Sequence, residues 1–312
     1  MKSVASALVL VVSFGFATLG GAQTIDPFYS GSYSYVDLGS VPKLPPLYGG
    51  LAFKYDNPNQ IVIGGEANSS TGNLYTINVV RDGNGHITGF SGSAQFYASA
   101  PYNDGGVVFG PNNVLFASRW PVNEMAQYLP GSTTPDKVID MTPLGVASSH
   151  AALNFVPVGF GGAGRMKLVS WSGGEFYDAT ITPDGSGTYN LNGVTQVSIL
   201  SGGPEGFVYV PLGSTLFANP SMIVSEYSAG SIATYEVDGN GNPIIVSRRL
   251  FMSGLSGAEG AVIDPVTGDF LFSTFGGGNR VIVVQGFAVP EPGSIVGVLA
   301  GLSLLCLIRR WK

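Results

Sequence analysis

Between Ser253 and Gly286, three apolar runs of four to five residues are separated by Asp264-Pro265, Thr267-Gly268 and Gly276-Gly277-Gly278. Short β-rich runs with this punctuation read as consecutive antiparallel strands. The phrase recurs upstream: Gly203-Pro204-Glu205-Gly206 opens an apolar run, followed by Met222–Ser225 and Gly230–Val237. Aligning on the small residue that opens each first strand gives Gly50, Gly106, Ala152, Gly206 and Gly260, at intervals of 56, 46, 54 and 54 residues. A repeat of this size built of four short strands is the signature of propeller blades, usually about 40–50 residues each. The expected fold is therefore all-β, a five-bladed β-propeller.

The strands can be placed blade by blade. Blade 1 takes Gly50–Tyr55, Ile61–Gly65, Asn73–Val80 and a fourth run ending near Tyr97. Blade 2 takes Gly106–Phe109 and Val114–Ser118, with weaker candidates at Met125–Leu129 and Lys137–Met141. Blade 3 takes Ala152–Val156, Lys167–Trp171, Phe176–Thr182 and Tyr189–Leu200; blade 4 ends with Ile244–Phe251. The turns at Asp82–Gly85, Asp184–Gly187 and Asp238–Gly241 sit at matching points, and Asp and Gly suit a tight hairpin. Each offers one carboxylate, too few for a calcium loop. Blade 5 has only Ala261–Asp264, Asp269–Thr274 and Arg280–Gly286, while Tyr29–Leu38 alternates and belongs to no blade. Pairing this spare strand with the incomplete blade closes the ring and removes an open edge. In blade 4, Ala233, Tyr235 and Val237 alternate with Ile232, Thr234 and Glu236, the pattern of a half-covered strand.

Charged residues make up only 11% of the chain, with a net charge of −6, and no basic stripe is present, which argues against nucleic acid as a partner. The single cysteine, Cys306, lies in the C-terminal apolar segment, so the body has no disulfide and no cysteine metal site. Met1-Lys2, the apolar run Val4–Phe16 and Gly20-Gly21-Ala22 read as a secretory signal peptide cut after Ala22. The organisation expected is thus a signal peptide over 1–22, a propeller body over 23–288 and a tail over 289–312.

No nucleophile elbow, zinc-protease helix, P-loop or dinucleotide fingerprint occurs. Of the two histidines, His86 falls in a hairpin turn and His150 reads as a half-buried loop residue. The residues before each first strand should line one mouth of the central channel, and four of them have metal-capable groups: Asp104, His150, Glu205 and Glu259. Converging carboxylates suit a hard cation such as calcium, which ranks Glu205 and Glu259 first, Asp104 next and His150 last. Glu66, Arg119, Trp171 and Glu226 should follow the second strands at the same mouth, and Trp120, Trp171 and the tyrosines offer faces for sugar rings. Asn68-Ser69-Ser70 fits the N-glycosylation pattern.

By repeat period and strand count, residues 29–286 resemble the propellers of the NHL-repeat and gluconolactonase type. That resemblance implies an axial divalent cation held by carboxylate and amide ligands from several blades, and a lactonase-like hydrolase. Blade 1 offers Tyr48-Gly49 and blade 3 offers Ala151 where such a ligand set needs side-chain oxygens, so a non-enzymatic binding or structural protein is the first reading and the hydrolase the second. The tail runs Val289-Pro290-Glu291-Pro292, then apolar Ile295–Ile308, then Arg309-Arg310-Trp311-Lys312. It resembles the PEP-CTERM sorting domain of exopolysaccharide-producing Gram-negative bacteria, with Trp311 as the one departure. The resemblance implies export through the inner membrane, recognition by an exosortase and cleavage near Pro290, Glu291 and Pro292, with Arg309 and Arg310 holding the terminus on the cytoplasmic side. It also implies a membrane-anchored precursor, a cell-surface or extracellular product, and a polysaccharide or other envelope component as partner.

Overall fold

Two short strands, β1 (Thr24–Ile25) and β2 (Ser34–Asp37), precede the first blade in the computed structural model, which describes residues 23–290. Blade 1 is β3 (Leu51–Lys54), β4 (Asn57–Gly65), β5 (Asn73–Arg81) and β6 (Ile87–Ser99). Blade 2 is β7 (Asn103–Phe109), β8 (Leu115–Arg119), β9 (Glu124–Tyr128) and β10 (Lys137–Asp140). Blade 3 is β11 (His150–Phe155), β12 (Met166–Ser170), β13 (Glu175–Pro183) and β14 (Tyr189–Ile199). Blade 4 is β15 (Pro204–Tyr209), β16 (Ser221–Glu226), β17 (Ser231–Glu236) and β18 (Arg249–Ser253). Blade 5 is β19 (Ala258–Ile263), β20 (Phe270–Thr274) and β21 (Val281–Gln285). The fold is a five-bladed propeller, and the described residues contain no α-helix and hence no helix able to cross a membrane. The signal peptide (1–22) and the tail residues Glu291, Pro292, Arg309 and Arg310 lie outside the described residues; Pro290 is the last within them.

The ring closes as the spare-strand argument requires. β2 pairs antiparallel with β21, from Ser34 opposite Gln285 to Asp37 opposite Ile282, and completes blade 5. The paired stretch is shorter than Tyr29–Leu38, because Tyr29–Tyr33 forms a turn whose aromatic rings pack with Phe217, Phe251 and Phe287. Ahead of that turn, β1 adds a fifth strand to blade 4 beside β18, a pairing with no sequence signal in a two-residue strand. Ile244–Phe251 also differs from expectation. Ile245–Ser247 is a 3-10 turn, and the strand begins only at Arg249.

The cores lie between blades, one at each junction. The junction that closes the ring buries Leu51, Ile61 and Ile63 of blade 1 against Leu271, Val281 and Val283 of blade 5. Sandwiching between neighbours covers both faces of most strands. In β17, Ala233 and Tyr235 face blade 3 while Ile232 faces blade 5, and only Glu236 is exposed, so the strand is fully rather than half covered.

Crowding at the axis explains the glycine period. A Cβ on Gly260 would lie 2.5 Å from Gly50 Cα, one on Gly50 would strike Gly105 O, and one on Gly206 would strike Glu259 O. At these three positions only glycine lets neighbouring first strands approach that closely, while blade 3 has Ala152 at the matching point.

The Asp-Gly turns clasp neighbouring blades. In each, an Asp oxygen (Asp82, Asp184 or Asp238) accepts backbone N–H groups of its own turn at 2.8–2.9 Å, so these carboxylates are engaged without calcium. Lys137 of blade 2 then donates to Asp184 at 2.7 Å, and Lys167 of blade 3 donates to Asn242 at 2.5 Å. Across the closure, Arg81 binds Asp264 with two nitrogens at 2.5 and 3.0 Å, and His86 Nδ1 lies 2.7 Å from Asp269.

Strand direction fixes the two faces. β19 starts at the mouth that holds Glu259, β20 returns there with Thr274 opposite Ala258, and β21 runs away from it. Phe287 to Pro290 therefore emerge on the face opposite that mouth.

Candidate functional site

Asp104, Glu205 and Glu259 each stand second in the first strand of their blade, next to a glycine. In all three blades the ladder with the second strand shifts register at this point, between Asn103 and Val107, Pro204 and Gly206, and Ala258 and Ala261. Such a bulge adds a residue to one strand and re-aims its side chain. Here the bulges turn three carboxylates onto the axis. One oxygen from each lies within 4.8 Å of the others, and the residues are only 1%, 7% and 1% exposed.

The group is electrostatically unbalanced. Asp104 Oδ2, Glu205 Oε2 and Glu259 Oε1 are buried without a hydrogen-bond partner. With its amide nitrogen turned toward the axis, Asn68 donates to Asp104 Oδ1 at 2.9 Å. The Asn68 side chain is thereby directed inward, so Asn68-Ser69-Ser70 does not present a free glycosylation acceptor. Burial pushes Asp104 up to about 7. Glu205 is raised well above the usual carboxylate range by burial and then by the Asp104 charge; Glu259 is raised by burial and by both neighbours. Three carboxylates this close keep their protons or share a cation. A calcium ion, with oxygens about 2.3–2.6 Å away and so up to about 5.2 Å across, spans the separation seen here. The orphaned oxygens and the hard, all-oxygen donor set fit that ion.

The sequence reading thus brought together Glu205, Glu259 and Asp104 and misplaced His150. His150 is wholly buried as the first residue of β11, not a half-buried loop residue, and it lies outside the carboxylate group. Its Nδ1 lies 3.3 Å from Glu124 O, and burial lowers it to about 4. A neutral imidazole there belongs to the packing. Glu226 and Arg119, each last in its second strand, are paired with Arg248 and Glu124, and neither joins the axial group.

A second repeated feature escaped the sequence reading. Ser118, Ser225 and Ser273 occupy matching buried positions in the second strands of blades 2, 4 and 5, where blade 3 has Val169. Ser118 donates to Ala151 O at 2.5 Å and Ser273 to Gly49 O at 2.6 Å, each tying its blade to the next one round the ring. Just past each strand end comes an aromatic residue, Trp120, Trp171, Tyr227 or Phe275, half-buried at the carboxylate mouth. The signal was present as Ser-x-aromatic in three blades, with Val169-Ser170-Trp171 at the same spacing in blade 3.

Fold and site together define the class: an all-β, five-bladed propeller with a buried acidic axis. No family model matches the chain, and no curated protein matches it. Among solved structures it is similar to the PQQ domain of pyranose dehydrogenase from Coprinopsis cinerea, at 8% identity and TM-score 0.48, over 84% of this chain and 97% of that one. It is also similar to an auxiliary nutrient binding protein from Bacteroides ovatus, at 12% identity and TM-score 0.42, over 81% and 77%. A third is the PQQ-bound aldose sugar dehydrogenase from Streptomyces coelicolor, at 14% identity and TM-score 0.40, over 80% and 83%. Likenesses this distant carry no functional assignment, and the site must be read from its own residues.

Proposed function

We propose that this chain is an exported, non-enzymatic binding propeller, braced at its axis by calcium on Asp104, Glu205 and Glu259, that associates with an envelope polysaccharide. The observation that carries this reading is the burial of the three carboxylates, 1–7% exposed, in positions suited to holding an ion but closed to a lactone ring. Surface hollows of about 640 and 450 Å³ are lined by other residues. In this reading residues 1–22 direct export, 23–288 form the body, and 289–312 are recognised by an exosortase and cut near Pro290, Glu291 and Pro292. The chain leaves the body from the face opposite the carboxylates. In this reading Ile295–Ile308 and Arg309-Arg310 hold the precursor at the inner membrane until the tail is cut.

Two measurements test the proposal. Mass spectrometry of the protein exported by a host with an exosortase should give a C-terminus near Pro290–Pro292; a terminus at Lys312 would make it a tethered propeller instead. A lactonase assay on calcium-loaded protein should show no turnover. Turnover that is lost in Glu205→Gln would favour the metal-dependent hydrolase.

A further inference from the structure

We propose that the hollow at the mouth between blades 3 and 4 is a binding site for the ring of a neutral sugar, with Trp171 as its stacking face. The inference rests on the binding reading above and names the site and ligand class. Trp171, Ser172, Gly202, Gly203, Ser228 and Ala229 line a hollow of about 450 Å³, within the usual range of about 300–1,000 Å³ for small-molecule sites.

The hollow is built rather than incidental. Gly202 and Gly203 form its floor with φ of +83° and +67°, and their carbonyls accept the N–H groups of Ala229 and Tyr227. A Cβ on Gly203 would strike Ser228 Oγ and come within 2.8 Å of Trp171 Nε1, while one on Gly202 would lie 2.8 Å from Glu226 Cβ. A side chain on Gly203 would crowd Trp171 and Ser228, and one on Gly202 would clash with Glu226. The indole N–H of Trp171 donates to Ser228 Oγ at 3.0 Å, which fixes the ring orientation before a ligand arrives. Trp171, Tyr227 and Phe275 continue as an arc of edge-to-face rings, with centroids 6.3 and 6.2 Å apart.

Sugar rings combine an apolar C–H face with equatorial hydroxyls, and the hollow offers the complement: a preset indole beside the hydroxyls of Ser172 and Ser228. The residues that line the hollow are uncharged and offer an acidic sugar no counter-ion. Arg248, which could otherwise serve a uronate, is already paired with Glu226 at 2.6 Å, so among the described residues lining the hollow no cation is free.

The test is calorimetric titration of the full exported protein with neutral hexasaccharides (β-1,4-glucan, β-1,3-glucan, α-1,4-glucan and β-1,4-mannan) and with oligogalacturonate. The wild type should bind at least one neutral probe, and more tightly than the uronate. Trp171→Ala should weaken that binding at least tenfold. Ala229→Trp, which fills the hollow from an exposed position, should weaken it as much without changing the melting temperature. Wild-type affinity in both variants would overturn this site but leave a glycan-binding propeller standing. A preference for oligogalacturonate would overturn the choice of ligand, and no binding of any probe would overturn both the site and the glycan part of the proposed function.

Discussion

Stripped of calcium, this protein should gain stability when the three axial carboxylates are replaced by amides. A group whose folded-state pKa is raised stabilises most below its unfolded value and loses that contribution as the pH rises through the folded value. Asp104 moves from 3.8 to about 7 on folding. That difference is worth about 4 kcal/mol at a pH above both values. Glu205 and Glu259 shift in the same direction. In a domain of this size 1 kcal/mol shifts the melting temperature by about 2–4 °C. Asp104 alone thus corresponds to about 8–16 °C, and the two glutamates add to it. Other groups tilt the profile. His150, lowered to about 4, costs stability as the pH falls below 6.5. His86, raised chiefly by its hydrogen bond to Asp269, loses its contribution as the pH rises above 6.5. The difference between wild type and Asp104→Asn, Glu205→Gln, Glu259→Gln cancels both. In thermal melts with EDTA, the two proteins should converge near pH 4 and diverge as the pH rises, with the triple variant the more stable by at least about 8 °C at pH 8. Calcium should raise the melting temperature of the wild type alone, because the cation takes the place of the protons. A wild type at least as stable as the triple variant at pH 8 in EDTA would refute the electrostatic reasoning.

Three further outcomes follow from the ring. Gly260→Val places side-chain carbon against Gly50 Cα and should destabilise by about 3 kcal/mol or more; a denaturant midpoint near that of the wild type would show that the axis has slack. Deleting residues 23–37 removes β1, β2 and the Tyr29–Tyr33 turn, and should lower the melting temperature sharply or abolish folding; an unchanged melt would contradict the closure. His86→Asn should flatten the stability loss above pH 6.5, measured as the slope of melting temperature against pH, and an unaltered slope would remove His86 from the clasp.

The sequence was informative where a single steric requirement recurs. Gly50, Gly206 and Gly260 mark the period because their first strands meet similar crowding at the axis, whereas blade 3 has Ala152 there. Glu205, Glu259 and Asp104 were legible because each precedes or nearly precedes such a glycine. Interactions between distant segments were not. Nothing near Asn68 announces that its amide meets Asp104, and nothing in Thr24–Ile25 announces a strand. His150 misled because the small polar residues before it look like loop, whereas its ring is buried against backbone. Ile244–Phe251 misled because an apolar run beside Pro243 reads as strand, whereas Val246, at 96% exposed, lies in a 3-10 turn.

The central claim is that carboxylates from blades 2, 4 and 5 converge on one cation, and metal content tests it most directly. Protein purified in calcium at pH 7.5, desalted and analysed by mass spectrometry for metals should contain one calcium per chain, and Glu205→Gln, Glu259→Gln should contain none. Calcium absent from the wild type, or equal in both proteins, would contradict the account.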